Sequence, residues 1–242
     1  MTPFSPLVVW HDVECGRYEA DLPLWRELAA AAGGPVLDVG AGTGRVALRL
    51  AGEGLDVTAL DRDGVLLEAL AGRAEAAGLE IETVRAEAAG FELPARYALI
   101  AVPMQTLQLL PDEAAREGFF ASARRALMPG GLVAAAIADA LEAFDEHAAL
   151  PTPDVGEADG LQYVSQPVAV RERPGAVRIE RIRQVVAPDG SRTSEDDVIE
   201  LRTVSAEGLA VEAGSHGLVA EPPLEVPATL EHVGSTVVML RG

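Results

Sequence analysis

The chain has 242 residues, 49% of them hydrophobic, enough to bury the core of one elaborated domain or of a large and a small lobe. Its formal net charge of -19 would repel polynucleotides and anionic lipid at long range, so neither a nucleic acid nor a membrane is an expected partner. Cys15 is the single cysteine, which precludes an internal disulfide and suits a reducing cytoplasm.

Residues 1–10 carry no basic segment followed by a long apolar run, and no later stretch of about 18 uncharged apolar residues exists. A soluble, unexported, cytoplasmic protein is the expectation. After an irregular Pro-rich start the chain reads as helical over residues 18–32, where Leu22, Leu24, Trp25, Leu28 and Ala29 share an apolar face, and Gly33-Gly34 stops it. An arm ahead of the first strand can fold over a ligand face, which makes Trp10, His11, Asp12 and Tyr18 lid candidates; plain packing is the other reading of the two aromatic residues.

From Pro35 strands and helices alternate, the pattern of a parallel sheet with crossovers. Strands are expected at 36–39, 57–61, 81–85, 97–102 and 132–138, with a helix from the N-cap Asp112 to Met128, where Pro129-Gly130-Gly131 ends it. Residues 141–150 read as a short helix and 151–160 as a loop. Three β-rich runs at 163–172, 177–187 and 198–204 then form an antiparallel insertion. Ser205 caps a helix to Ala213, and strands at 219–226 and 235–240 close the chain. The expected architecture is a doubly wound, mostly parallel seven-stranded α/β sheet with an antiparallel β-rich insertion before the last helix and strands. Residues 1–34 are a helical arm, 35–140 and 205–242 a core, and 141–204 a helix-loop and β insertion that serves as a lid or a homodimer contact.

The chemistry concentrates in Val36-Leu37-Asp38-Val39-Gly40-Ala41-Gly42-Thr43-Gly44-Arg45. A buried strand end, a turn of three alternating glycines and a following helix make an anion and nucleoside cradle, since glycine admits close backbone approach and the helix start offers free N–H groups. Asp61 ends the second strand about twenty residues beyond the first glycine, where an acidic residue can bond ribose hydroxyls. The nicotinamide and flavin fingerprint requires its third glycine at position 45, which is arginine, so a different nucleoside is indicated.

These residues resemble the class I S-adenosylmethionine-dependent methyltransferases, a family with a Rossmann-like fold. The resemblance implies that Gly40, Ala41 and Gly42, with Gly44 completing the turn, lie under the methionine and ribose, and that Asp38 helps hold the amino group. It implies that Asp61 bonds the ribose, Arg62 lies beside the adenine, Glu87 accepts from the adenine amino group and the Ala88 N–H faces the ring. The end of the fourth strand at Val102 would pass the sulfonium; Tyr18, from its place in the arm and not from the resemblance, is a further cofactor-binding candidate. Leu127-Met128-Pro129-Gly130-Gly131 resembles the family's turn before strand five. The Asn/Asp-Pro-Pro-aromatic tetrad of nucleobase and glutamine methylation is missing, as is the carboxylate that begins a catechol-type magnesium site. No metal is therefore expected, and no His-Cys cluster has metal-ligand spacing.

Methyl transfer from a sulfonium needs alignment more than a base, so no catalytic residue need stand out. Acceptor candidates at strand ends and beside the insertion are Gln105, Gln108, Asp139 and Tyr163, and His147 is the candidate base for its near-neutral titration; a surface role is its alternative. Arg171, Arg173, Arg178, Arg181, Arg183 and Arg192 either grip an acidic acceptor or pair with glutamates on a solvated ribbon face. Expected function is methyl transfer from S-adenosylmethionine to O or N of a small-molecule acceptor. A peptide or protein terminus as acceptor, a non-catalytic nucleoside-binding regulator and, last, a dehydrogenase are the other readings.

Overall fold

The structure, a computed structural model, describes residues 5–138, 141–145, 147–229 and 232–242. The chain opens with α1 (Pro6–His11), one π-helical turn (Asp12–Gly16) and α2 (Leu22–Ala32). Then β1 (Val36–Val39), α3 (Arg45–Gly52), β2 (Val57–Asp61), α4 (Gly64–Ala77), β3 (Glu82–Arg85) and β4 (Tyr97–Val102) alternate. A 3-10 turn (Thr106–Leu109), α5 (Glu113–Ala126) and β5 (Leu127–Ile137) precede four consecutive strands, β6 (Asp154–Ala158), β7 (Leu161–Arg173), β8 (Ala176–Val186) and β9 (Arg192–Arg202). The chain ends with α6 (Ala206–Gly214), β10 (Val219–Val226) and β11 (Ser235–Arg241).

The main sheet has seven strands in the order β10-β11-β5-β4-β1-β2-β3, parallel except where β11 runs against both its neighbours. β1 and β4 are short apolar runs buried on both faces, the composition that a sheet covered by helices demands. Asp63, Asp112 and Ser205 cap α4, α5 and α6 by accepting from backbone N–H groups of the first turn. β6 to β9 form a separate antiparallel sheet in sequence order.

Several expected elements differ. Residues 6–16 are helical rather than irregular, because Val8, Val9, Trp10 and Val13 are all buried, with Val9, Trp10 and Val13 clustering around Tyr163 of β7. The helix expected from residue 18 begins at Leu22, after Asp21 turns inward to accept from the Trp25 indole at 2.8 Å. α5 stops at Ala126, and Pro129-Gly130-Gly131 lies inside β5 instead of forming a separate turn. A register shift absorbs it: Tyr97 pairs with Leu127 but Leu99 with Leu132. The described part of 141–150 is not helical, since Phe144 exchanges backbone hydrogen bonds with Val170 at 3.0 and 2.9 Å. Part of the expected loop at 151–160 is β6, which earns its place by pairing with β7 and not by side-chain pattern.

Gln108 shows how the two sheets are joined. It is 3% exposed; its amide donates to the Ala138 carbonyl at 3.1 Å and the Arg202 carbonyl at 3.2 Å, and accepts from the Ala138 N–H at 2.7 Å. One side chain thus satisfies the backbone at the end of β5 and of β9. Gln108→Leu keeps the bulk but orphans those groups, and is expected to cost about 2 to 4 kcal/mol. Urea denaturation with an unchanged slope will show this as a lower midpoint; an unmoved midpoint would refute the clamp.

Candidate active site

The turn after β1 is built by glycines at positive φ, Gly40 at 75° and Gly42 at 55°, a region hostile to side chains. The Gly40 and Ala41 N–H groups donate to the Leu60 carbonyl at 2.8 and 3.1 Å, and Asp61 accepts from the Gly42 and Asp63 N–H groups at 2.8 and 2.9 Å. Added bulk has no room: a Cβ on Gly40 would meet Thr106 Oγ1 at 2.5 Å. Gly44 packs instead against Leu70 of α4, so its role is helix packing.

Above the turn lies a cavity of about 360 Å³, a volume suited to a small ligand. Asp38, Gly40, Ala41, Asp61, Arg62, Glu87, Ala88 and Gln105 line it, which brings eight of the expected site residues together. Ile179 and Arg181 of β8 and Ile199 and Leu201 of β9 line it from the second sheet, with His11, Glu14 and Cys15 from the arm. The sequence reading expected the insertion as a lid or a dimer contact but did not single out Ile179, Ile199 or Leu201. The signal was the period-two alternation that places residues 179, 181 and 183 on one face of β8.

Other expected residues fall elsewhere. Tyr18 is buried beside Arg45, whose guanidinium lies 5.2 Å from the ring centroid, and does not line the cavity. Val102 is fully buried at the end of β4, and its successors Pro103 and Met104 do the lining. Gln108 is the inter-sheet clamp. Tyr163 packs edge-on to Trp10 at 5.0 Å. His147 is exposed, its N–H bonded to Asp145, away from the cavity. Asp139 lies outside the described residues.

The arginine stretch divides by strand alternation. Arg171 and Arg178 pair with Glu180, while Arg181 and Arg183 turn toward the arm and pair with Glu14 at 3.3 and 2.7 Å. Burial pushes the Glu14 carboxyl up, but the hydrogen bond and charges from these arginines outweigh it and hold it below its ordinary value. Burial also raises the Cys15 thiol to about 11, so it stays protonated.

Asp38 is 1% exposed and neither carboxylate oxygen has a hydrogen-bond partner among the described residues. Such a group on a cavity wall fits a ligand that brings a donor or a positive charge. Together with Asp61 at a strand end and a turn closed to side chains, it forms a Rossmann-like strand-turn-helix site that suits a ligand with a cationic or donor-bearing tail.

Residues 36–131 match a family described as a methyltransferase domain. The fold is also that of solved methyltransferases. The sugar N-methyltransferase KedS8 from Streptoalloteichus sp ATCC 53650 shares 17% identity at a TM-score of 0.74, covering 100% of this chain and 95% of that one. DesVI from Streptomyces venezuelae shares 18% at 0.73, covering 95% and 94%. CalS10, an amino pentose methyltransferase from Micromonospora echinaspora solved with S-adenosylmethionine bound, shares 17% at 0.70, covering 97% of each. No curated protein matches the chain. Residues 36–131 thus match a methyltransferase domain, and the fold of the chain is that of methyltransferases of known structure, one of them solved with S-adenosylmethionine bound. Among the described residues no His, Cys, Asp or Glu cluster is arranged to hold a metal ion, and no helix is long and apolar enough to cross a membrane.

Burial raises the Asp38 pKa to about 7, against the pull of Arg45. The folded protein therefore keeps a proton that an unfolded aspartate sheds near 3.8, so this contribution to stability is full below about pH 4 and is lost as pH rises through 7. Asp38→Asn buries no charge. It is expected to melt above the parent at pH 8, by a margin that narrows toward pH 5; equal melting at pH 8 would contradict the buried charge.

Proposed function

We propose that the protein moves the methyl group of S-adenosylmethionine to a nitrogen or oxygen of a small-molecule acceptor. The observation that carries this is the roofed cavity: Gly40 and Ala41 lie on its floor and Ile179, Arg181, Ile199 and Leu201 of β8 and β9 cover it, a shape that suits a small acceptor more than a long polymer. Residues 35–140 with 205–242 then act as the donor-binding core, and 141–204 as the acceptor lid.

The cofactor, when bound, supplies an activated sulfonium methyl group. In this reading Asp61, Glu87 and the Ala88 backbone hold its nucleoside end and Asp38 its amino group, which their place in the cavity lining supports. The chain's task is alignment, which can supply on the order of 7 to 11 kcal/mol. Ile179, Ile199 and Leu201 keep water from the acceptor. Cys15 stays protonated and His147 is exposed, so neither is a base candidate, and a neutral amine, which arrives with a free lone pair, needs none. The names of two compared structures, a sugar N-methyltransferase and an amino pentose methyltransferase, support an amine on a hydroxylated small molecule.

A panel of amino sugars, small amines, phenols and short peptides, read by release of S-adenosylhomocysteine, tests this. Turnover is expected with a small amine or hydroxyl compound, and turnover with peptides alone would overturn the reading. In calorimetry Asp61→Ala is expected to weaken S-adenosylmethionine binding at least about tenfold, the effect of losing hydrogen bonds to a charged group.

A further inference from the structure

The arm brings into the cavity a group for which the methyl-transfer reading has no task, the imidazole of His11. Its ring lies on the cradle: a Cβ on Gly42 would come within 2.2 Å of His11 Nε2. Proton bookkeeping at the other ring nitrogen sets the tautomer. Asp12 receives Arg73 NH1 at 3.0 Å and NH2 at 2.5 Å, so it is an ionised, acceptor-only carboxylate. Thr43 Oγ1 gives its one proton to Asp12 Oδ1 at 2.8 Å. The 3.2 Å contact between Thr43 Oγ1 and His11 Nδ1 then requires the ring proton to sit on Nδ1. A neutral ring of this form has a bare lone pair at Nε2. Burial lowers the His11 pKa, with Arg73 acting the same way, and outweighs Asp12, Asp61 and Glu14, so the ring is neutral.

Among the described residues nothing donates to Nε2, and the turn beneath it is the one whose Gly42 N–H is held by Asp61. We propose that His11 Nε2 accepts a hydrogen bond from the cofactor, from a ribose hydroxyl or the methionine ammonium, so that the arm completes the cofactor site. Asp12 and Thr43 are its positioning residues. The assignment rests on the cavity being the S-adenosylmethionine site.

Calorimetry of the full-length protein with S-adenosylhomocysteine tests it. His11→Ala is expected to weaken binding about tenfold. His11→Gln, whose amide oxygen reaches the same place, should stay within about threefold of wild type, and Thr43→Val should fall between. Melting temperatures should barely move, because Trp10 against Tyr163 and Glu14 against Arg183 still hold the arm. 5′-Methylthioadenosine separates the donors: a loss shared with it assigns the ribose hydroxyl, and a loss confined to S-adenosylhomocysteine assigns the ammonium. His11→Ala binding S-adenosylhomocysteine as tightly as wild type overturns the assignment alone. Wild-type protein that binds none would overturn the methyl-transfer reading as well.

Discussion

The enclosed site depends on one buried ion pair, Arg45 with Asp21. Their side chains are 8% and 2% exposed, and two hydrogen bonds of 2.5 and 2.8 Å join them. Arg45 also donates to the Tyr18 carbonyl at 2.7 Å, and Asp21 accepts from the Trp25 indole. A buried pair repays its desolvation only when its remaining polar groups are met this fully, and removing one partner typically costs about 3 to 5 kcal/mol. The pair ties the arm to the first turn of α3, directly after the glycine cradle. From that anchor the preceding π-helical turn carries Glu14 to the roof, and α1 sets His11 on Gly42.

The roof is pinned at two ends. At one, Glu14 receives Arg183 at 2.8 and 2.7 Å, Ser165 at 2.8 Å and the charge of Arg181. At the other, Gln108 holds the carbonyl of Arg202. Ile179, Ile199 and Leu201 give the roof its apolar surface, and the fastening groups Glu14 and Arg181 line the same cavity beside them. An arginine is therefore a structural residue here wherever strand alternation points it at Glu14, and a solvated one wherever it points at Glu180.

What the sequence disclosed follows from where information is local. β1, β2, β4 and β10 stand at their expected bounds because each is a run with clear punctuation, and the cavity lining was legible in part because Asp38, Gly40, Asp61 and Glu87 sit at or just beyond strand ends whose order dictates their convergence. β6 was not legible, since Asp154, Gly156 and Glu157 have no strand pattern and the segment is extended only because β7 offers it an edge. The inward turn of Arg183 was hidden for a similar reason: its partner Glu14 is 169 residues away. Tyr163, Gln108 and Tyr18 look like site residues by type and place in the chain. Burial against Trp10, backbone groups and Arg45 uses them up.

The arm and the core are held by different physics. The core is two large apolar clusters on either side of the main sheet, with side chains such as Trp25, Phe119 and Phe120 fully buried. Residues 6–16 bury Val8 and pack Val9, Trp10 and Val13 with Tyr163 in a small cluster, and polar contacts through His11, Asp12 and Glu14 complete their attachment. The Arg73–Asp12 pair is about one-third exposed on both sides, and an exposed pair contributes roughly 1 kcal/mol or less. Segments with few apolar contacts open at lower free energy than the fold as a whole. The Asp12–Arg73 contact is therefore the weakest ionic attachment of residues 6–16, and the more buried Glu14–Arg183 pair and, beyond them, Arg45–Asp21 are the stronger ones. Salt weakens the part-exposed Asp12 pair, while the glycine cradle beneath is fixed by backbone hydrogen bonds to Leu60 that do not depend on it.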